Sequence, residues 1–517
     1  MRTDPDMLWY GWGDPAARTE LPESAQQLLA SALRLPERIL PPPAEEDVKL
    51  PATELPVDFA AVVGEAYVLT DPHSRLLHSA GKSTIDLLRL RSGEVREAPD
   101  AVLLPADHDE ILTLLRICTE NNITVVPFGG GTSVVGGVQP SGQRPVVALD
   151  LRRLDKLVSV DEISQTAVLQ AGLRAPAAER LLGEHGFTLG HLPQSFEYAT
   201  IGGFAATRSS GQASNRYGSF ADLVTGLRVA TPSGPLELGR APGSAAGPDL
   251  LQLLLGSEGV FGVITEVTVR IRPIPPKLLD ETWTFADFAS GVAAVRALAQ
   301  ADAAPAVARL SDEAETGINR ALGGQDQTGG CVLVTGYEGT AAEVAADRTR
   351  AAEILAAHGG SDLAGASDWR AHRFRAPYLR DALLGVGALA ETLETAATYS
   401  ALPGLYEGVR TAVAAALGGP AVVMCHVSHL YPTGASLYFT VVCGQSDDPV
   451  SQWQRAKTAA GDAIVAAGGT ITHHHAVGAD HRPWMAAEVG DLGVAILRAV
   501  KDRLDPAGIL NPGKLIP

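Results

Sequence analysis

Residues Pro127-Phe128-Gly129-Gly130-Gly131-Thr132-Ser133 follow the apolar run Ile123-Thr-Val-Val, and this junction constrains the fold more than any other feature of the chain. A strand that empties into three glycines presents bare backbone N–H groups. Glycine has no Cβ to clash and accepts positive φ, so successive amides can converge on phosphate oxygens. Thr132 and Ser133 add hydroxyl donors. Upstream, Asp107 with Glu110 reads as a capping box, and Ile111, Leu114, Leu115 and Cys118 fall on one helical face. The local order is helix, strand, glycine loop.

Two further Gly-rich stretches repeat the pattern. One runs Gly190-His-Leu-Pro-Gln-Ser195 and continues to Thr200-Ile-Gly-Gly203. The other runs Gly256-Ser-Glu-Gly-Val-Phe-Gly262 into Val263–Ile271, whose alternation of Val and Ile with polar residues marks a half-buried strand. Three such loops over roughly 135 residues describe an extended ligand lying across several turns. No Gly-x-Gly-x-x-Gly opens a βαβ unit, so a dinucleotide-binding Rossmann fold is not indicated.

The 517 residues suit two or three domains, and 46% hydrophobic residues supply their cores. A net charge of −18 argues against nucleic acid as a partner. Cys118, Cys331, Cys425 and Cys443 are widely spaced without Cys-x-x-Cys, which fits a reduced, cytoplasmic setting. No stretch approaches the ~20 apolar residues of a spanning helix, and the first residues lack a signal-peptide core. Trp9-Tyr-Gly-Trp-Gly13 reads as part of a packed N-terminal arm.

An α+β architecture follows. Residues 1–97 read as an arm and extension, and 98–277 as the glycine-loop domain, closed by Pro273-Ile-Pro-Pro276. Residues 278–460 read as a cap in which Ala-rich helices (286–300, 341–358) alternate with strands such as 332–335 and 437–442. Residues 461–517 complete the site and include a helix over 489–504.

These segments resemble the FAD-binding module of the vanillyl-alcohol oxidase / p-cresol methylhydroxylase superfamily. The resemblance implies that the FAD pyrophosphate rests on Gly129, Gly130, Gly131, Thr132 and Ser133 beside Pro127. It also implies that Pro193, Ser195, Thr200, Gly202, Gly203, Ser209, Glu258, Val263 and Ile264 surround the cofactor. Pro127-Phe128 stands where relatives with covalent flavin often carry a linker residue nearby, so noncovalent FAD is expected. More closely, residues 9–13, 190–203, 256–264, 306–310, 473–478 and 500–506 resemble segments of the alkyldihydroxyacetonephosphate synthase family. That likeness implies an exchange of the acyl group of acyl-dihydroxyacetone phosphate for a fatty alcohol, through an adduct at flavin N5 and without net oxidation. It further implies a homodimer, peripheral to a membrane, acting on a lipid-like phosphate. The alternative is an FAD-linked dehydrogenase or oxidase of a D-2-hydroxy acid.

His473-His474-His475 follows Gly-Gly-Thr-Ile-Thr, which suggests a strand or its end. On a strand, His473 and His475 would share one face and His474 the other, so the three could not ligate one metal. Imidazole suits proton transfer at neutral pH, and the family match favours His474 and His475 for it. Leu437, Phe439 and Val441 share one face of a strand and Tyr438 takes the other. The resemblance makes Tyr438 the acid that assists the departing carboxylate. Arg309 is a lone cation in Pro305-Ala-Val-Ala-Arg-Leu, and it needs an anion: Asp312, or the substrate phosphate that the family position implies.

In related 2-hydroxyacid dehydrogenases, two His and a Glu hold a divalent metal. By loose alignment His426 keeps the first position, while Tyr438 and His474 replace the other two, so no metal is expected. The apolar insertion that animal relatives carry after the Arg309 segment is missing between Ala321 and Gly329. A lipid substrate must therefore enter differently.

Overall fold

The computed structural model describes residues 7–37, 39–53, 55–141, 145–322, 329–363 and 369–517. The span 323–328, where the apolar insertion would fall, lies outside the described residues.

The glycine-loop domain contains two main sheets. The first orders Val68–Leu69, Ala101–Leu103, Val146–Asp150 and Thr124–Phe128, with the last three parallel. Helix His108–Glu120 makes the crossover between two of them and buries Ile111, Leu114, Leu115 and Cys118, as its periodicity requires. Its cap differs from the expected box by one position. Asp107 accepts the N–H groups of Asp109 and Glu110, but the Glu110 carboxylate turns back to the Ala106 N–H at 2.7 Å. The second sheet is antiparallel, ordered Leu157–Asp161, Thr166–Gln170, Val263–Arg270, Val224–Thr231 and Gly234–Leu238.

The cap is a seven-stranded antiparallel sheet. Its order is Ser361–Leu363, Lys277–Phe285, Cys331–Gly339, Val307–Ser311, Ala421–Tyr431, Gly434–Gly444 and Ala388–Thr398. Helices Phe288–Gln300, Ala341–Ala357, Leu402–Leu417 and Pro449–Ala466 cover one face, where Leu333, Val409, Phe439 and Trp453 are buried. The opposite face looks toward the glycine loops.

Three sequence-based boundaries shift. Position 460 falls inside helix Pro449–Ala466, so the cap runs to the end of that helix. Residues 1–97 are more than an arm. Trp9 and Trp12 are buried as expected, but Val68–Leu69 joins the first sheet, and Ile85, Leu87 and Leu88 of helix Thr84–Arg91 enter the cap core. The last helix begins at Met485, and Gly490, at φ 74°, interrupts it. Beyond it, Leu510 bridges to Val125 beside the strand that feeds the glycine loop. No helix among the described residues is long and apolar enough to cross a membrane.

Candidate functional site

A cavity of about 880 Å³ is lined by both domains. Pro127, Gly129–Ser133, Pro193, Ser195, Thr200, Gly202, Gly203, Ser209, Glu258, Val263 and Ile264 reach it from one side. Arg309, Tyr438, His474 and His475 reach it from the other. Of the catalytic, substrate-binding and cofactor-binding residues expected from the sequence, His473 alone is missing from the wall.

The glycines are explained partly by the protein's own chain. Gly131 has φ +67°, which a side chain would strain. Gly130 does not need positive φ; a Cβ there would collide with the Tyr198 carbonyl oxygen, and one on Gly129 with the Thr200 hydroxyl. Thr200 also caps helix Ile201–Thr207 by accepting the Gly203 N–H at 3.2 Å. Two loops thus pack backbone to backbone along the cavity. In the same wall, Gln194 Nε2 and Gln212 Oε1 are buried and unpartnered among the described residues. A cavity of this size, with a glycine cradle and unsatisfied polar atoms, fits FAD.

The cap supplies a graded floor, because alternate residues of a strand share one face. Ser311, His426, Tyr438 and Glu394 lie side by side across four adjacent strands. Two residues along, Met424, Thr440 and Thr392 pair; two further, Val422, Val442 and Ala390. Within the cavity wall, polarity therefore falls from the imidazole of His426 and the phenol of Tyr438 to aliphatic over about four residues of strand, roughly 14 Å. Ser311 and Glu394 end the row outside the wall, and the carboxylate inside it, Glu391, accepts the Thr84 N–H. Leu29 and Leu33, from helix Glu23–Ala32 and its end, pack over the apolar rows and line the same cavity.

The histidine segment is not a strand. Residues 472–475 form an irregular loop wrapped around Glu394, whose side chain is 0% exposed. Glu394 accepts the Thr472 hydroxyl at 2.5 Å and the N–H groups of His473, His474 and His475 at 2.5, 3.2 and 2.9 Å. Burial pushes this carboxyl up, but the three imidazoles and Thr472 outweigh it and hold it well below the ordinary range. Burial also pushes His473, His474 and His475 down, against the pull of Glu394, so near pH 7 the rings are neutral and the carboxylate is held by Thr472 and the three backbone N–H groups; the imidazoles attract it by charge only once they protonate in acid. His474 and His475 turn to the cavity around Tyr438, their ring centroids 5.9 and 5.7 Å from its ring. His473, expected from the sequence beside them, instead bonds Tyr431 Oη at 2.6 Å, off the cavity wall.

Tyr438 is stacked on His426 at 4.8 Å, and burial raises its hydroxyl to about 12. It remains protonated at every working pH. Arg309 finds its anion in Glu315, at 2.6 Å, and not in Asp312, which accepts the Tyr406 hydroxyl at 2.9 Å. Glu315 also lies 3.2 Å from His426 Nδ1. Burial raises the Glu315 carboxyl, but Arg309 and His426 outweigh it and hold it low. Arg380 is a second guanidinium at the cavity, and its Nε is unpartnered among the described residues. Glu258, at φ 52°, binds Val477 and Gly478 N–H through its carboxylate and thereby ties the C-terminal segment to the glycine loops.

His429, His473 and His474 each bring a ring nitrogen within 4.8 Å of the others, a spacing that can hold a metal ion. Their nitrogens are also engaged within the protein. His429 Nδ1 meets Ser214 Oγ at 2.5 Å, and His473 Nδ1 meets His474 Nδ1 at 2.9 Å. Glu394, Glu315 and Arg380 were missed in the sequence. The available signal was a carboxylate at a strand position, as in Ala390-Glu-Thr-Leu-Glu394, where a buried charge demands partners.

Two family models match: "FAD binding domain" over residues 99–238 and "FAD linked oxidases, C-terminal domain" over 281–515. The chain is 32% identical to the alkyldihydroxyacetonephosphate synthase of Dictyostelium discoideum, covering 98% of this chain and 93% of that one. It is 33% identical to that of Trypanosoma brucei brucei, covering 92% and 82%. A mitochondrial cytochrome D-lactate dehydrogenase of Arabidopsis thaliana is 29% identical over 81% of this chain and 74% of its own. A solved alkyldihydroxyacetonephosphate synthase superposes with TM-score 0.85 at 29% identity over 99% of both chains. A p-cresol methylhydroxylase superposes with TM-score 0.72 at 16% identity over 88% and 95%, a likeness of fold.

Proposed function

The chain belongs to the alkyldihydroxyacetonephosphate synthase family of FAD-linked enzymes, and we propose that its cavity exchanges the acyl group of acyl-dihydroxyacetone phosphate for a fatty alcohol. The observation that carries this reading is the graded cap floor. A glycine-lined end, a row of acid–base side chains and an aliphatic end meet in one cavity. A small 2-hydroxy acid would leave the aliphatic end without a use.

Gly129–Ser133 and the facing loops would hold FAD, which would supply an electron-poor ring system able to activate C1 of the substrate. The protein does the rest by binding and proton handling. Arg309 and Arg380 orient the phosphate; a planar fork suits an oxyanion. The bond from C1 to the acyl oxygen breaks, and the Tyr438 hydroxyl, neutral throughout, donates a hydrogen bond to the carboxylate as it departs. The incoming alcohol gives its proton to His474 or His475, both neutral and therefore able to accept. Its oxygen then bonds to C1, and no net oxidation occurs. Leu29, Leu33, Met424 and Val442 sheathe the hydrocarbon chain and keep water out.

The test is Tyr438→Phe. Losing one donor to a developing anion costs about 10²–10³ in rate. The variant should keep fold and flavin while acyl-for-alkyl exchange collapses. Near-normal exchange by flavin-loaded Tyr438→Phe would sink the mechanism. Noncovalent FAD, a homodimer and peripheral contact with membranes complete the proposal; acid precipitation, sedimentation and liposome flotation test them in turn.

A further inference from the structure

His191 is buried, lies outside the cavity wall and has no part in the exchange described above. Its ring sits between Phe204 and Phe220, with centroids at 4.7 and 4.9 Å. Its Nε2 meets Ser209 Oγ at 2.9 Å, and Ser209 does line the cavity. Nδ1 is buried without a partner among the described residues. We propose that His191 fixes the Ser209 hydroxyl as a hydrogen-bond donor to a carbonyl oxygen on the pyrimidine edge of the flavin.

Proton placement carries the inference. Burial pushes His191 down to about 3, so the ring is neutral and bears a single N–H. A proton on Nδ1 would be a buried, orphaned donor, which proteins avoid more strictly than an idle acceptor. The proton therefore sits on Nε2 and is donated to Ser209 Oγ. The Ser209 hydroxyl, already accepting from the imidazole, must send its own hydrogen elsewhere, and its open side is the cavity.

The surroundings identify the acceptor. The segments carrying His191 and Ser209 run side by side, with the Gln212 N–H on the Leu192 carbonyl at 3.1 Å. Ser209, Gln212 and Gln194 all line the cavity, and Gln212 Oε1 and Gln194 Nε2 are enclosed in its wall without a partner among the described residues. This set is uncharged and holds both hydrogen-bond donors and an acceptor. The pyrimidine edge of a flavin offers the complement: carbonyl, N–H, carbonyl. A phosphate would instead draw cations, and Arg309 and Arg380 approach from the cap. The inference rests on FAD binding and not on the identity of the substrate.

The experiment compares flavin-loaded wild type, Ser209→Ala, His191→Phe, His191→Gln and the double variant Ser209→Ala/His191→Phe. Two readouts are taken: the visible flavin bands, and the FAD dissociation constant from fluorescence recovered on dilution. One lost hydrogen bond weakens FAD binding by about five- to thirty-fold, so Ser209→Ala and His191→Phe should each do so and shift the bands alike. His191→Gln, whose amide nitrogen reaches the Nε2 position, should restore both. The double variant should be no worse than Ser209→Ala alone. Wild-type bands and affinity in His191→Phe would overturn the proposal, as would independent losses that multiply in the double variant. If His191→Phe does not fold, unchanged bands and affinity in Ser209→Ala overturn it alone. Wild type that bound no FAD would count against the cofactor itself and is distinguishable from either result.

Discussion

Replacing Glu394 by Gln changes one atom pair in the most enclosed charge of the site. The carboxylate takes four donors: the Thr472 hydroxyl and the amides of His473, His474 and His475. Gln keeps one carbonyl oxygen, and its NH₂ group faces backbone N–H groups that need an acceptor. Hydrogen bonds to charged groups are worth about 1.5–3 kcal/mol each. Two lost bonds, within the range for breaking a buried charged pair, make the cost about 3–5 kcal/mol. For a domain of this size, that lowers the melting temperature by roughly 6–20 °C. The pH dependence has a definite sign. The folded carboxyl sits well below its ordinary value, so its contribution is complete above the unfolded value of about 4.3 and is lost as pH falls toward the folded one. The gap between wild type and Glu394→Gln should therefore be constant from pH 8 to 5 and narrow in stronger acid. Thermal release of flavin fluorescence, recorded across that range, is the assay. A melting temperature within about 2 °C of wild type at pH 7 would refute the claim that this carboxylate organises the histidine loop.

Gly130→Ala should already weaken FAD retention by about tenfold or more, since the methyl group displaces the loop from the Tyr198 carbonyl; normal retention would refute it. Arg309→Lys should raise KM for the phosphate-bearing substrate about tenfold or more, because an ammonium cannot serve both Glu315 and an oxyanion; an unchanged KM would remove Arg309 from phosphate binding. Chelators should leave exchange activity unchanged, since His429 Nδ1, His474 Nδ1 and both nitrogens of His473 have partners within the protein. One tightly bound zinc or manganese per chain would instead make that cluster a metal centre.

Punctuation and alternation made much of the site legible. The glycine loops and the face of Tyr438 are local patterns, and nearly all the residues they pointed to line one cavity. What could not be read was pairing across distance. Asp312 stands three residues from Arg309, yet Glu315, six away on the following helix, takes the ion pair. The run Gly-Gly-Thr-Ile-Thr before the histidines resembles a strand, but the Ile471 N–H goes to Glu488 and the histidine amides find a carboxylate about 80 residues upstream instead of a ladder. Residues 68–69 and 84–91 looked like parts of an arm because neither is amphipathic enough to announce its partner; one completes a sheet and the other enters the opposite domain.

The strand Thr124–Phe128 has consequences for how the chain is made. On one side it pairs with Val146–Asp150, synthesised shortly afterwards. On the other, Val125 donates to the Ile509 carbonyl and accepts the Asn511 N–H. While the ribosome is still adding the cap, that second edge has no neighbour, and Glu258 has no Val477 or Gly478 to hold. A sheet edge waiting for nearly 400 residues is open to wrong partners. The cofactor cradle is thus finished only when residues 509–511 emerge, and removing residues 506–517 should be felt first at the flavin.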